Sequence, residues 1–264
     1  MRAAHVLWSL ALVAGGSATQ ESPRGDANLV AIEYLAHACF RIESPAGTRI
    51  LIDPYASRVW IGYDFPEGVE ADLVLITHPH YDHDAGRALG KVVPWGPETS
   101  VLSDPEVFES KDVRITGIEG KHADPYGKEF GQTNTIWLLE IGGLRIAHLG
   151  DNGPLTAANV DALGRVDILM MPIDSEFHIL AEEEVERILD ALEPRVLVPM
   201  HYKHPDLEPE AGKPDGLGPI EPWAQGRKNV VFLDENRATF CARSLLPARQ
   251  TLVFPHSPRV TPPD

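Results

Sequence analysis

The segment that most constrains this chain is residues 77–84, where three histidines and two aspartates fall within seven residues. It directly follows residues 71–76, an almost continuous apolar run. Such a run is typical of a buried strand, which delivers the polar residues after it to a cleft. Imidazole is a good ligand for Zn²⁺, and a carboxylate can complete the site or bridge to a second ion. A solvated histidine-rich loop is the simpler alternative, but histidines of such a loop rarely follow a buried strand in this order.

The spacing inside this segment divides its side chains into two groups. Residues i and i+2 of an extended or sharply turning segment point the same way, so His78 and His80 can bind one ion. Asp82 and His83 follow after a turn and can face a neighbouring ion. Because two adjacent ions need about seven or eight protein ligands, we expect the remaining ligands from other parts of the chain.

Composition limits the size of the fold and the kind of partner. The chain has 264 residues, of which 43% are hydrophobic, so it can form one large domain or at most two small ones. Its formal net charge of −16 disfavours nucleic acid and anionic lipid as partners. An anionic small molecule is not excluded, because bound metal ions dominate the field at their own site. We therefore predict a small-molecule substrate, whereas the sequence predicts no particular oligomeric state.

The N-terminal segment has the pattern of a secretory signal peptide. Arg2 supplies the positive charge, residues 6–14 are apolar, and residues 16–18 are small, as expected before a cleavage site. The apolar run is too short to span a bilayer, so no stable membrane insertion is expected. These features predict an exported protein, periplasmic or secreted, with cleavage after Ala18. A retained N-terminal tail is the alternative.

The two cysteines, Cys39 and Cys241, lie far apart in the sequence, each between apolar neighbours. An exported protein can oxidise such a pair, but this setting favours two buried thiols over a disulfide. Two cysteines at this separation also do not form a zinc-finger pattern.

Strand-like runs recur between residues 30 and 233, and helical patterns are fewer. The strongest helical pattern is Ala181 to Leu192, where apolar residues form one stripe and glutamates occupy the first turn. Thr156 is a predicted helix cap. Paired strands with interspersed helices favour one α/β domain of two packed sheets. Residues 207–222 are predicted to form a surface loop, and residues 255–264 an extended, loosely held end.

Three later segments have the same pattern as residues 71–84, because each is an apolar strand-like run that leads to a histidine or an aspartate. The residues that follow these runs are His122, Asp151 and His201. The end of a strand is where a rigid sheet presents side chains to a cleft, so these residues are candidates for the missing ligands.

Residues 78–83, His-Pro-His-Tyr-Asp-His, resemble the His-x-His-x-Asp-His motif of the metallo-β-lactamase superfamily. Four further segments are similar to a branch of small metal-dependent hydrolases in that superfamily. The branch includes proteins similar to ascorbate-6-phosphate lactonase and, more distantly, the N-acyl-phosphatidylethanolamine phospholipase D type. These segments are residues 34–40, 51–54, 148–151 and 199–202.

The resemblance covers about residues 30 to 235 and implies an α/β fold, a single-domain, four-layer αββα sandwich. Combined with the composition of the two ends, it predicts four segments along the chain. These are a signal peptide at residues 1–18, a linker at 19–28, the hydrolase domain at 29–243 and a C-terminal tail at 244–264.

Carried over by position, the resemblance implies two metal positions and a bridging carboxylate. The first metal position would consist of His78, His80 and His122, the second of Asp82, His83 and His201, with Asp151 between them. Two alternatives stay open, because His148 competes with His122 and His204 with His201. His148 and Asp53 are otherwise expected to orient ligands from behind. The set suits two Zn²⁺ ions, with Mn²⁺ or Fe²⁺ as alternatives.

Such a dinuclear site predicts hydrolysis by a metal-bridged hydroxide, without a serine or cysteine nucleophile. The catalytic residues are expected to be Asp82, His83 and Asp151, with Asp82 or a nearby histidine giving a proton to the leaving group. Residues expected near the substrate are His37, Asp174, His178, Tyr202 and His204, of which the last two could donate a hydrogen bond to an oxyanion. The scissile bond is predicted to be an ester, lactone or phosphodiester of a small molecule.

Three other functions are compatible with the same fold. A β-lactam or amide hydrolase would suit an exported protein, although residues 34–40 and 148–151 resemble the lactonase-like branch. An iron-dependent, sulfur-oxidising enzyme would be distinguished by metal analysis. A non-catalytic metal-binding scaffold is disfavoured, because unused ligands would leave buried charge without compensation.

Overall fold

The computed structural model describes residues 28–57, 62–93, 106–123, 131–174, 179–203 and 217–256. The predicted signal peptide lies outside these ranges, as does the predicted linker except for residue 28. Within the described ranges, no helix is both long enough and apolar enough to cross a membrane.

The first sheet has six strands and leads into the histidine-rich motif. Its strands are β1 (Val30–Ala36), β2 (Cys39–Glu43), β3 (Arg49–Ile52), β4 (Leu73–Leu75), β5 (Lys91–Val92) and β13 (Arg237–Phe240). Their spatial order is β13-β1-β2-β3-β4-β5. The pairs from β13 to β3 are antiparallel, whereas β3, β4 and β5 run parallel. The motif begins three residues after the C-terminal end of β4, a short and fully buried strand.

The second sheet has eight strands. They are β6 (Glu106–Ser110), β7 (Val113–Lys121), β8 (Thr133–Ile141), β9 (Leu144–His148), β10 (Ile168–Pro172), β11 (Val196–Met200), β12 (Val230–Phe232) and β14 (Gln250–Val253). Their order is β12-β14-β11-β10-β9-β8-β7-β6. Strands β6 to β9 form an antiparallel meander, and the strands from β9 to β12 in the spatial order run parallel.

Alternation along its strands gives the first sheet two buried faces. Ile32, Phe40 and Ile50 belong to the main core, which the second sheet shares. Cys39 lies on the opposite face, in a smaller cluster with Tyr55. Because both faces are covered, the strand ends and turns of this sheet are held rigidly.

Three helices occur in the described ranges, α1 (Ala157–Leu163), α2 (Glu182–Leu192) and α3 (Ile220–Ala224), and each connects strands of the second sheet. Helix α2 confirms the predicted pattern, since its apolar stripe is buried. Thr156 caps α1 as predicted, because its side chain accepts a hydrogen bond from the backbone of Asn159. Two mixed sheets with few helices confirm the predicted α/β sandwich.

The predicted end of the domain after residue 243 is wrong. Strand β14 lies between β11 and β12, so the chain returns to the second sheet after that point. Its apolar run is short and lies between polar residues and prolines, which gives a weak strand pattern. The ring of His256 lies 4.9 Å from that of Tyr202, so residue 256 is also packed rather than loosely held. Residues 220–222, predicted as part of a loop, form the start of α3.

Both cysteines are free thiols, as the sequence favoured. Cys39 is the first residue of β2 and is buried, whereas Cys241 directly follows β13 and is only partly buried.

Candidate metal centre

Four strands deliver the candidate ligands to one edge of the sandwich. The motif follows β4, His122 follows β7, Asp151 follows β9 and His201 follows β11. Strands β7, β9 and β11 run in the same direction, because β8 is antiparallel to both of its neighbours and β10 is parallel to both of its own. Their C-terminal ends therefore meet, and the structure brings all seven predicted ligands together.

Asp151 lies at the centre of this cluster. Its Oδ2 atom is 3.3 Å from the Nε2 atoms of both His83 and His201. It is 3.6 Å from His122 Nε2 and 3.9 Å from His78 Nε2. Ligand atoms about 2.0–2.1 Å from a tetrahedral Zn²⁺ lie about 3.3–3.4 Å from one another. The distances from Oδ2 therefore fit atoms that share a metal ion. They join Oδ2 to candidate ligands of both predicted positions.

The predicted first metal position would consist of three imidazoles. His78 Nε2 lies 3.0 Å from His80 Nδ1, and the ring of His122 lies 4.7 Å and 4.9 Å from these two rings. One nitrogen of each ring lies within 4.8 Å of the other two. His78 and His122 are buried and His80 is half-buried, so this position opens toward solvent at His80.

The predicted second metal position is more deeply buried than the first, and His37 lies against it. His37, Asp82, His83 and His201 place one ligand atom each within 4.8 Å of one another. His37 Nε2 lies 3.1 Å from Asp82 Oδ2, and its ring lies 3.9 Å from the ring of His201. We expected His37 near the substrate. It is instead only 1% exposed and contacts the candidate ligands from behind.

Asp53 contacts the candidate ligand His83 directly and approaches the candidate ligand His78 through Thr77. Its Oδ2 atom lies 2.8 Å from His83 Nδ1 and accepts a hydrogen bond of 2.7 Å from the Thr77 hydroxyl. Asp53 Oδ1 accepts from the backbone N–H of Thr77. The Thr77 hydroxyl also lies 2.9 Å from His78 Nδ1. Both rings therefore have a partner at Nδ1, which leaves Nε2 of each directed at the cluster.

Gln132 is a supporting residue that sequence reasoning missed. Its side-chain amide lies 3.0 Å from His80 Nε2, on the side of the ring away from His78. The available signal was its place directly before β8, where a polar side chain lies at the same edge of the sheet as the motif. His122 has a backbone partner, since its Nδ1 lies 3.0 Å from the carbonyl oxygen of Ala123.

Asn134 holds the turn that carries Asp151. Its Nδ2 donates to the carbonyl of Leu149 at 2.8 Å, and its Oδ1 accepts from the backbone N–H of Asp151 at 3.2 Å. Between them Gly150 has a φ of 56°, and a Cβ there would lie 2.6 Å from both Asn134 Oδ1 and the Thr77 side chain. Only glycine fits this position, since the backbone is left-handed and the space is taken.

Two predicted residues use their polar atoms elsewhere. His148 Nε2 lies 2.9 Å from the Ala38 carbonyl, and His148 Nδ1 accepts from Gly150 N. The His148 ring therefore binds the backbone of the turn that precedes Asp151. Both of its nitrogens are engaged there and at Ala38, so His148 does not compete with His122 as a ligand. The Tyr202 hydroxyl donates to the Phe254 carbonyl, so it is not directed at an oxyanion as we expected.

Three further residues were predicted near the substrate, which are Asp174, His178 and His204. Asp174 is buried, and its charge contributes to the field at His201. His178 and His204 lie outside the described residues.

Left-handed backbone conformations are concentrated at this centre. His37, Asp53 and His201 have φ values of 58°, 47° and 67°, and they are half of the six non-glycine residues with positive φ in the described ranges. Such conformations cost energy and persist where surrounding contacts impose them. Here the His37 carbonyl accepts hydrogen bonds from His201 N and from the Tyr34 hydroxyl.

The electrostatic field is negative at the second metal position. Burial opposes protonation of His83, but attraction by Asp151, Asp82 and Asp53 outweighs it and raises the pKa of His83 well above its usual range. Burial is likewise outweighed at His201, whose pKa is raised by Asp151. The pKa values of the Asp82 and Asp151 carboxyls are lowered despite burial, because the neighbouring imidazoles favour the charged form.

The histidines of the first position behave in the opposite way. Burial lowers the pKa of His78, with a further contribution from His83, and burial also lowers the pKa of His80 and His122. The pKa of His37 falls to about 4, first through burial and then through His201. These imidazoles are therefore neutral at pH 7, the form in which histidine binds a metal.

Three buried carboxylates, Asp53, Asp82 and Asp151, lie in this one cluster. Among the described residues, their ion-pair partners are all histidines, and neither lysine nor arginine approaches them. Asp82 Oδ1 and Asp151 Oδ1 are buried without a hydrogen-bond partner in the same ranges. Since uncompensated buried charge is costly, this donor set fits bound cations.

The metal-free protein should lose stability as the pH falls from 7.5 to 5. Burial lowers the pKa of five histidines, which are His37, His78, His80, His122 and His148. Such a group stabilises the fold above its unfolded pKa of about 6.5, and this stabilisation is lost below that value because the unfolded chain takes up the proton. The pKa values of His83 and His201 are raised, so these two groups change stability in the opposite sense, but they are outnumbered.

Each proton involved contributes about 1.4 kcal/mol per pH unit. The check is thermal unfolding of chelated protein across this range, with the Zn²⁺-loaded protein at pH 7.5 as the reference. A midpoint that stays constant or rises toward pH 5 would contradict the assignment of these groups as buried and neutral.

A comparison with protein families gives the class of this protein. The family model described as "Beta-lactamase superfamily domain" matches residues 31–201. The match contains the histidine-rich motif and ends on His201, the last of the candidate ligands. The chain therefore belongs to the beta-lactamase superfamily.

The chain is also similar in sequence to proteins of a narrower group, which is named UPF0173. A UPF0173 metal-dependent hydrolase from Thermococcus onnurineus is 30% identical over 193 residues, which are 66% of this chain and 85% of the relative. A UPF0173 protein from Pyrococcus furiosus is 32% identical over 203 residues, or 69% and 88% of the two chains.

A solved structure supports the same placement. It is the crystal structure of a metallo-beta-lactamase superfamily protein from Thermotoga maritima, for which Zn-dependent hydrolysis has been suggested. The two structures align with a TM-score of 0.62 at 26% identity, over 85% of this chain and 98% of the other.

Proposed function

We propose that this protein is a metal-dependent hydrolase that holds two Zn²⁺ ions, one in each metal position, with Asp151 between them. The observation that carries the proposal is the place of Asp151 Oδ2, within 3.9 Å of imidazole nitrogens from both positions. The relative from Thermococcus onnurineus, named a metal-dependent hydrolase, supports the class of reaction. Mn²⁺ and Fe²⁺ are alternatives, since imidazole and carboxylate also bind them.

When bound, the two ions would supply a nucleophile at neutral pH and polarise the bond to be cleaved. The chain provides the geometry for this chemistry. Asp151 and His83 meet at the centre, and Asp53 fixes the orientation of His83. Because these groups are buried and Asp53 already holds the His83 ring, little reorganisation is required during the reaction.

Asp82 is the proposed carrier of the proton that the leaving group needs. Its side chain is 12% exposed, compared with 4% for Asp151 and 0% for Asp53, so it is the carboxylate of the cluster nearest to solvent. Asp82 Oδ2 pairs with His37 Nε2, whereas Oδ1 has no partner among the described residues. An oxygen in that position can accept a proton during attack and return it to the leaving group.

The proposed substrate is a small molecule with an ester, lactone or phosphodiester bond, and the proposed location is outside the cytoplasm. The formal charge of −16 argues against a nucleic acid substrate. The segments around His37 and His148 support the lactonase-like branch over a β-lactam or amide hydrolase. The signal-like pattern of the first 18 residues supports export.

The test combines metal analysis with hydrolysis by the purified mature protein. The substrates are lactones, a phosphodiester, a phosphomonoester and a β-lactam, each before and after chelation. We expect about two Zn²⁺ per chain and cleavage that chelation abolishes and Zn²⁺ restores. Iron with oxygen uptake would replace the hydrolase with a redox enzyme. Absence of metal after reconstitution would overturn the site, and bound metal without turnover would favour the non-catalytic scaffold.

A further inference from the structure

We propose that the chain after β14 fixes the backbone at the candidate ligand His201, and that His256 is a positioning residue for this ligand. The proposal rests on the proposed metal site and adds residues from the C-terminal part of the chain to its support. It is carried by contacts that converge on Tyr202, the residue directly after His201.

The backbone at His201 needs contacts from other segments. Its φ of 67° is left-handed, and residues other than glycine adopt such a conformation where the surrounding structure imposes it. Strand β11 ends at Met200, so regular strand pairing does not extend to the ligand. The place of the His201 ring therefore depends on what holds residues 201 and 202.

The register of the second sheet brings the end of β14 to this point. Strands β11 and β14 run parallel, with Val196 opposite Gln250 and Leu197 opposite Thr251. The offset is 54 residues in both pairs, since 250 − 196 and 251 − 197 both equal 54. Continued at this offset, residue 254 lies level with residue 200, and residue 256 lies level with residue 202. The chain that leaves β14 thus runs beside the segment that carries the ligand.

Two hydrogen bonds join these neighbouring segments. The Tyr202 hydroxyl donates to the Phe254 carbonyl, and His256 Nε2 donates to the Tyr202 carbonyl at 3.3 Å. Tyr202 and Phe254 are both buried, so water competes little for the first of these bonds. Because one bond engages the side chain of Tyr202 and the other its backbone, the residue next to the ligand is held at both.

The His256 ring also contacts tyrosines that belong to the first sheet and its connections. It lies 5.2 Å from the ring of Tyr34 and is stacked on Tyr63 at 5.7 Å. The Tyr34 hydroxyl and the backbone N–H of His201 donate to the same acceptor, the His37 carbonyl, at 2.9 Å and 2.8 Å. His256 therefore packs against a residue that holds the His201 backbone from the opposite sheet.

The expected consequence is a loss of precision at the ligand when these contacts are removed. A metal ligand must be held close to its productive geometry by the residues packed around it. Without the contacts of His256 and Tyr202, the left-handed backbone at His201 can relax toward more ordinary conformations. Its ring then spends less time directed at the cluster, which weakens metal binding.

Two variants test the two kinds of contact in the full-length protein. Tyr202→Phe removes the hydroxyl and keeps the ring, whereas His256→Ala removes the ring and its N–H donor. After chelation, each protein is titrated with Co²⁺ by absorption, because Co²⁺ accepts the same imidazole and carboxylate ligands. Each variant should weaken Co²⁺ binding about tenfold, the lower end of the range for residues that support ligands.

His256→Phe is the conservative variant. It keeps an aromatic ring among the tyrosines and removes only the hydrogen bond to the Tyr202 carbonyl, which is long at 3.3 Å. It should recover most of the Co²⁺ affinity that His256→Ala loses. A loss equal to that of His256→Ala would overturn ring packing as the cause.

Asn229→Ala is the matched control, because it loosens β14 at the end away from the metal centre. The Asn229 side chain donates to the Arg249 carbonyl at 3.2 Å, directly before β14, and its φ is 58°. Alanine removes this hydrogen bond and is strained at positive φ. The control should lower the midpoint of thermal unfolding and leave Co²⁺ affinity unchanged. An equal loss of affinity in the control would overturn a specific role for His256.

A second measurement needs no metal. Nuclear magnetic resonance of the chelated protein records the ring nitrogens of His201, which report the surroundings of this ring. We expect their resonances to shift in Tyr202→Phe and His256→Ala, and to stay in place in Asn229→Ala. Wild-type Co²⁺ affinity in both variants, or unchanged His201 resonances in both, would overturn the proposal. Circular dichroism verifies that every variant folds.

These measurements separate the failure of this proposal from that of the proposed function. Co²⁺ binding that the two variants weaken, without hydrolysis of any substrate, would overturn the hydrolase and support the role of His256. Hydrolysis that responds to chelation, with Co²⁺ affinity unchanged in both variants, would overturn the role of His256 alone. A wild-type chain that binds no Co²⁺ would overturn the metal site, and the His201 resonances would then decide the positioning.

Discussion

Replacing Asp151 by alanine should abolish hydrolysis while leaving the fold largely intact. Asp151 Oδ2 is the atom that approaches ligands of both metal positions, so the substitution removes their common anion. A metal pair supplies several kcal/mol of transition-state stabilisation, and a loss of about 4 kcal/mol lowers kcat/KM about 10³-fold. The turn should persist, since the backbone N–H of residue 151 donates to Asn134 and Gly150 supplies the left-handed conformation. Steady-state kinetics and zinc content measure both effects.

Asp167→Ala is the matched control for that substitution. Asp167 is also a buried aspartate, but it precedes β10 and accepts hydrogen bonds from Arg145 and Arg165, at the opposite end of the strand from the metal centre. It should lower stability and leave zinc content unchanged. Near-normal turnover by the Asp151 variant after metal removal would refute the assignment of this site.

Replacing Asp53 by alanine should lower both stability and metal affinity. The substitution leaves three buried donors without their acceptor, which are Thr77 N, the Thr77 hydroxyl and His83 Nδ1. Removing one partner of a buried, hydrogen-bonded charge costs about 3–5 kcal/mol, or a decrease in Tm of about 10 °C for a domain of this size. Metal affinity should fall about 10–100-fold at the second position, because His83 loses its orientation.

A second aspartate allows the two effects to be separated. Asp112 likewise accepts three hydrogen bonds, from the Ser44 hydroxyl, the Ala46 backbone and the Thr48 hydroxyl in the turn between β2 and β3. Asp112→Ala should lower Tm and leave the metal titration unchanged. If Asp53→Ala, like the Asp112 control, altered only Tm and not the metal titration, Asp53 would have a purely structural role.

The difference in burial between the two candidate metal positions has a simple structural origin. The second position lies where the first sheet meets the second, with the turn between β1 and β2 on one side and the end of β11 on the other. The first position lies at the ends of β7 and β8, which are closer to the edge of the second sheet. Position within the sandwich thus sets how deeply each set of imidazoles is buried.

The sequence by itself determined the fold class and the candidate ligands. An apolar strand that ends in histidine or aspartate is a local pattern, and it occurs before the motif, His122, Asp151 and His201. Asp53 could be predicted as a supporting residue for the same reason, since it directly follows an apolar run. The end of the domain was missed because β14 is short and is stabilised by its neighbours β11 and β12 rather than by its own pattern.

Only the tertiary structure decided how these residues work together. Gln132, Asn134 and His37 support the ligands His80, Asp151 and Asp82 from distant parts of the sequence. In the structure His148 accepts a hydrogen bond from the backbone of Gly150, and the Tyr202 hydroxyl donates to the Phe254 carbonyl. Their positions in the sequence had instead suggested contacts with the metals or the substrate. The physical reason is that a buried polar atom must find its partner among whatever groups the packing of two sheets brings near, and that neighbourhood is not encoded in local spacing.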